Sequence, residues 1–106
     1  MAGVGGSRRG DWGVRVPVRA VVISHNHGLS YSIEREFSEL LLRIGVTDRT
    51  YAHVADMDRP IAFRAVMRLF GNRFYIHIPR WAVPYYQRGD EVEIIITPLG
   101  RKTQKQ

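Results

Sequence analysis

The sequence predicts a mainly β protein with short helices, organised as two successive hairpin–helix–strand units. Three observations lead to this fold class. Apolar and polar residues alternate over several short runs, the period of a strand with one buried face. Clusters rich in Gly, Asn and Asp punctuate those runs at Asn26–Gly28, Phe70–Asn72 and Arg88–Asp90, as tight turns require. The order of elements then recurs. Val18–Val22 aligns with Phe63–Met67, and Ile33–Arg35 with Ile78–Arg80, both at a separation of 45 residues.

Residues 1–13 are Gly-rich and basic and read as a flexible tail, with Trp12 suited to lie against the domain edge. Val14, Val16, Val18 and then Ala20–Ile23 read as a strand buried in its second half. Ser24–Gly28 reads as a turn in which Asn26 and Gly28 can take positive φ. Leu29, Tyr31 and Ile33 then alternate with Gly28, Ser30 and Ser32, a half-buried strand. The period changes at Ile33: with Phe37, Leu40, Leu41 and Ile44 it marks one face of a helix. Ser32 is the expected N-cap, Glu34 and Glu36 suit the positive helix start, and Gly45 is the expected stop.

Tyr51–Ala55 reads as a short strand and Asp56–Pro60 as a loop. In the second unit Phe63–Leu69 is a strand, Phe70-Gly71-Asn72 a turn, and Phe74, Ile76 and Ile78 one face of the returning strand. Pro79 stands where a helix would start, and Pro84 interrupts the short helical segment over 80–87. Val92–Ile96 is the final strand, expected to end at Pro98. The expected organisation is a tail over 1–13, one domain over 14–100 made of units 14–60 and 61–100, and a basic tail over 101–106.

The 106 residues fit one domain and leave little surplus stability for a second core. Cysteine is absent, which excludes disulfides and thiolate metal sites. With no apolar run near the ~20 residues of a membrane span and no leader-like stretch, a cytoplasmic protein without membrane contact is expected. The net charge is +6, and its placement is uneven. Arg8, Arg9, Arg101, Lys102 and Lys105 lie in the tails with Asp11 as their one acid. Residues 14–61 hold six arginines against six acids, whereas 62–89 carry Arg64, Arg68, Arg73, Arg80 and Arg88 and no acid. Such segregation fits an anionic partner. Arginine outnumbers lysine 14 to 2, a bias that composition alone can produce.

The second unit reads Arg68-Leu-Phe-Gly-Asn-Arg-Phe-Tyr-Ile-His-Ile-Pro-Arg80, followed by Arg88-Gly-Asp-Glu-Val-Glu-Ile94. Over Phe63–Ile96 this resembles the AbrB/MazE/VapB family of swapped-hairpin (SpoVT-AbrB) domains. Their signature is a strand, an aromatic-Gly-Asn turn, a strand closing on Ile-Pro-basic, a short helix, and Gly-Asp-x-Val before a last strand. Two departures are His77 in place of a basic residue before Ile-Pro, and Pro84 within the helix. The resemblance implies a small β-barrel, of swapped-hairpin, double-psi or RIFT type. It implies DNA binding in transcription regulation, and either a homodimer or a single-chain pseudo-dimer. The matching contact positions are Arg68, Arg73, His77 and Arg80, where guanidinium groups can fork onto phosphates or guanine edges. Arg64 and Arg88 complete the candidate nucleic-acid-binding set. The corresponding positions of the first unit are Ile23, Gly28, Ser32 and Arg35, so contact is expected from the second unit.

Other chemistries are weaker. His25-x-His27 on a turn has the geometric potential of a metal-binding pair, but the sequence places no third ligand with it, His53 included, and no metal or cofactor is expected. Asp56 and Asp58 beside His53 resemble a solvated turn more than an acid/base pair, and no nucleophile or phosphate-loop motif is present, so no enzyme is expected. Trp81, Tyr85 and Tyr86 read as core or end-covering aromatics ahead of base-stacking ones. The expected function is an AbrB-like DNA-binding regulator. The alternatives are an RNA- or ribonucleoprotein-associated module using its basic tails, and a non-catalytic protein-interaction adaptor.

Overall fold

A computed structural model describes residues 13–101. The first hairpin pairs β1 (Val16–His25) with β2 (Gly28–Ile33). Burial in β1 alternates from its start, with Val16, Val18, Ala20 and Val22 inward, so the strand is half-buried along most of its length and not in its second half alone. Its apolar run meets solvent on one side because β1 lies in an antiparallel sheet with a single inner face. The connecting turn is two residues long, and Asn26 and His27 both take positive φ (47° and 59°). This is the pattern of a type I′ turn, whose twist suits a two-residue hairpin. Gly28 does not carry a positive φ. A Cβ there would lie 3.4 Å from His77 Cε1, an ordinary contact with the end of an exposed side chain.

The helix α1 runs Arg35–Arg43 and follows Glu34, not Ser32, which stays in β2 opposite Tyr75. Leu41 and Ser38 are its buried residues, while Leu40 is partly exposed. Ser38 Oγ donates to the Ile33 carbonyl (3.1 Å) and accepts from Phe74 N–H (3.0 Å), tying the helix to both hairpins. Gly45 (φ 101°) ends the helix as expected.

The remaining strands are β3 (Thr50–Asp56), β4 (Ala62–Phe70), β5 (Arg73–His77) and β6 (Glu91–Arg101). The turn between β4 and β5 places positive φ on Gly71 alone (62°), as a type II′ turn does. Between β5 and β6 lies a 3₁₀ segment, Arg80–Tyr85, set off by Pro79 and containing Pro84. β6 does not stop at Pro98. Pro98 pairs with Ala52 and Gly100 with Tyr51, so Leu99 bulges out and the strand absorbs the missing N–H. Arg101 therefore belongs to β6 rather than to a tail. The expected placement of Trp12 lies outside the described residues.

The six strands close into an antiparallel barrel in the order β1-β2-β5-β4-β3-β6. Exchanging β1 with β4, β2 with β5 and β3 with β6 returns the same circular order. The hairpins match in register too. Ile23↔Ser30, Ser24↔Leu29 and His25↔Gly28 recur 45 residues later as Arg68↔Tyr75, Leu69↔Phe74 and Phe70↔Arg73. The barrel thus closes within one chain. Its interior is filled by inward residues of every strand, including Val22, Tyr31, Val54, Met67, Phe74, Ile76 and Ile94.

One end of the core is polar. Asp56 points inward, and its carboxylate accepts from the N–H groups of Asp58 (2.7 Å) and Arg59 (3.0 Å), from Arg59 Nη1 (3.3 Å) and from Tyr86 Oη (2.6 Å). Tyr86 gives its one proton to Asp56, so Tyr31 Oη, 2.6 Å away, donates to Tyr86. Arg59 lies 4.7 Å over the Tyr86 ring and reaches Asp90 at 3.6 Å. Burial pushes the Tyr31 hydroxyl up to about 12, and burial together with the Asp56 carboxylate raises Tyr86 as well. Among the described residues, no helix is long and apolar enough to cross a membrane.

Candidate nucleic-acid interface

Strand alternation sends Arg64, Val66, Arg68 and Phe70 of β4 to the outer face, and with them Arg73, Tyr75 and His77 of β5. Four of the six sequence-derived candidates therefore share one surface. The β4–β5 ladder is short, ending at Arg68↔Tyr75. Beyond it the two strands diverge, because β5 goes on pairing with β2 through His77 while β4 pairs with β3. A cleft of about 550 Å³ occupies the gap, lined by Phe63–Val66 and Arg68 from β4, by His77, Pro79 and Trp81, and by Arg49. Among the described residues, no carboxylate lines it, although Asp48 pairs with Arg68 and Arg49 beside it.

The arginines of this cleft are held in different ways. Arg64 is exposed, lies 4.6 Å over the Tyr51 ring and has no acidic partner among the described residues. Arg68 donates from Nε to Asp48 (3.0 Å) and lies 5.2 Å over the exposed Phe70 ring. Asp48 also accepts from Leu69 N–H (2.9 Å). That bond and the Arg68 guanidinium hold its carboxyl below the usual range. Arg49 pairs loosely with Asp48 at 3.7 Å. Stacking on a ring fixes the plane of a guanidinium and leaves its N–H edge free for an anion.

Arg80 and Arg88 sit elsewhere on the surface. A second depression of about 530 Å³ holds His77, Arg80, His27 and Gly28, and a third of about 570 Å³ holds His25, His27 and Arg88. His77 lines the first and second, and Asn26–Gly28 line the second and third, so the three form one arc that no carboxylate lines among the described residues. Arg73 fits the set least well. It is half-buried, and its Nε is enclosed without a hydrogen-bond partner among the described residues.

Sequence reasoning missed Arg49, which lies outside the acid-free segment and is delivered by its N–H bond to the Met67 carbonyl (2.7 Å) in a left-handed conformation (φ 69°). The aromatic triplet divides. Tyr86 is core, but Trp81 is 56% and Tyr85 49% exposed, against the expectation that all three cover the core. Trp81 makes an edge contact with Phe63 (6.3 Å, 85°), which in turn stacks on buried Tyr31 (6.2 Å, 16°). The alternative acid/base reading meets a physical obstacle. Both Asp56 oxygens are bound inside the barrel, and His53 faces outward beside Arg64. Among the described residues, no three His, Cys, Asp or Glu side chains gather as metal ligands. Comparison with protein-family models, curated proteins and solved structures finds no match for this chain.

Proposed function

We propose that this chain is a non-catalytic, cytoplasmic nucleic-acid-binding protein whose barrel holds a phosphate backbone across Arg49, Arg64 and Arg68 and onward past His77 and Arg80. The single observation that carries the reading is the cleft at the β4–β5 divergence, where Arg64 and Arg68 lie over rings, Arg64 without an acidic partner, and no carboxylate lines the wall among the described residues. Fixed guanidinium groups lose little freedom on meeting a phosphate, and displaced counterions drive the association. The AbrB-like resemblance favours a DNA-binding regulator whose second unit makes the contacts. Under that reading the two units act as a pseudo-dimer in one chain, supported by the exchangeable strand order and the 45-residue register match of the hairpins. An RNA partner shares the same chemistry and is favoured by the exposed Trp81.

The test is fluorescence anisotropy with labelled 20-mers, duplex DNA and single-stranded RNA, at 50 and 200 mM salt. Binding should weaken steeply with salt. Replacing Arg49 and Arg64 together by Ala should lower the logarithmic salt slope by roughly 1.5 for the preferred nucleic acid. Salt-independent binding, or unchanged affinity in the double variant, would overturn the proposal.

A further inference from the structure

We infer that the cleft between β4 and β5 takes an unpaired nucleobase stacked on Trp81, and so selects single strands over duplex. The inference rests on the nucleic-acid reading above and adds the strand state of the partner.

Three features of the cleft converge. The first is Trp81, 56% exposed and braced from behind by the Phe63–Tyr31 stack, which anchors the indole to the barrel core. A large exposed indole braced in this way costs little entropy when a base stacks on it. The second is backbone. Met67 turns its carbonyl toward the β3 side, where it accepts from Arg49, and residues of a strand alternate in direction. Arg64 and Val66 therefore turn their N–H and C=O groups the other way, into the cleft, where β5 has left the ladder. Such a row of donors and acceptors matches the edge of a base that has no pairing partner. The third is charge, since Arg49, Arg64 and Arg68 flank the same cleft and suit the phosphates on either side of the base.

Its volume of about 550 Å³ lies within the roughly 300–1,000 Å³ range of small-ligand sites. A duplex keeps its bases stacked inside and offers the cleft only backbone. A single strand offers both backbone and base faces. An acidic extended peptide is the competing occupant of an open strand edge, but its carboxylate side chains have no face to stack on Trp81.

The experiment uses the full chain carrying Trp12→Phe, so that Trp81 is the one remaining tryptophan. Octameric oligo(U), octameric oligo(dT), a 20-base-pair DNA duplex and poly-glutamate are titrated at 50 mM salt, reading indole emission and affinity. The expected result is quenching by oligo(U) or oligo(dT), with the two arms telling RNA from DNA. Trp81→Ala should lose about 10- to 100-fold in affinity for the single strand and under twofold for duplex. Trp81→Phe should recover part of that loss, and Tyr85→Ala, exposed but outside the cleft, should change nothing. Thermal melts of each variant verify that the barrel is intact. Tight duplex binding with no quenching, and no effect of Trp81→Ala, would sink this inference and leave the nucleic-acid reading standing. Binding of poly-glutamate alone, or of no polymer, would overturn both.

Discussion

Replacing Tyr86 by Phe tests whether the polar end of the barrel is held together as its geometry implies. The substitution removes one oxygen and two hydrogen bonds. One is the 2.6 Å bond to Asp56, whose side chain is 0% exposed, and the other the 2.6 Å bond received from Tyr31. A hydrogen bond to a charged group is worth about 1.5–3 kcal/mol, and a buried hydroxyl left without a partner costs a further 1–3 kcal/mol or so. Asp56 keeps its two backbone donors and Arg59, which limits the damage on that side. The expected loss is about 3 kcal/mol, which lowers the melting temperature of a domain of this size by roughly 15 °C. Tyr31→Phe removes only the neutral bond and should cost about 1 kcal/mol. The two changes should not add. Once Tyr86 has lost its hydroxyl, the Tyr31 hydroxyl is a liability, so the double variant should be no less stable than Tyr86→Phe. Calorimetry and urea melts on the four proteins complete the cycle. A Tyr86→Phe loss under 0.5 kcal/mol, or a Tyr31→Phe loss exceeding it, would refute the assignment of the proton to the Tyr86–Asp56 bond.

The same network sets an alkaline limit. With Tyr31 raised to about 12 and Tyr86 also raised, the folded chain holds protons that the unfolded chain releases near pH 10. Stability is full below pH 10 and falls as pH rises above it, by about 1.4 kcal/mol per unit for each tyrosine. Urea midpoints at pH 8, 10 and 11 measure the decline, which Tyr86→Phe should make shallower. At the acid end, the depressed Asp48 carboxyl contributes stability above its unfolded pKa that is lost as pH falls through the folded value. Asp48→Asn should flatten that loss in acid melts while keeping an oxygen for Leu69 N–H, and should tighten oligonucleotide binding severalfold by freeing Arg68 and Arg49. A barrel that closes within one chain should run in light scattering as a 12.2 kDa monomer. A dimer that dissociates only on unfolding would contradict it.

Most strands were legible because one face is buried, and alternation of apolar and polar residues reports that directly; β2, expected to be half-buried, departs from this, with Ser30 and Ser32 buried as well as Tyr31 and Ile33. The hairpin positions followed from their turn residues, although in the first turn the left-handed backbone expected of Gly28 falls to His27. Side-chain composition names the residues able to adopt such a turn, while the twist of the paired strands decides which one does. The run of β6 past Pro98 was hidden, since a bulge on its ladder with β3 is a property of two strands.

For the site, the sequence alone determined which segment is rich in arginine and poor in acid, and alternation placed Arg64 and Arg68 on one face. It did not place Arg49 or join Trp81 to them. That required the divergence of β4 from β5, which arises because β5 remains hydrogen-bonded to β2 while β4 remains bonded to β3. The pairing of Asp56 with Tyr86, Tyr31 and Arg59 was likewise invisible. Arg59 is near Asp56 in the chain but both tyrosines are far from it, and only closure of the barrel removes the water that would otherwise make their hydrogen bonds unnecessary.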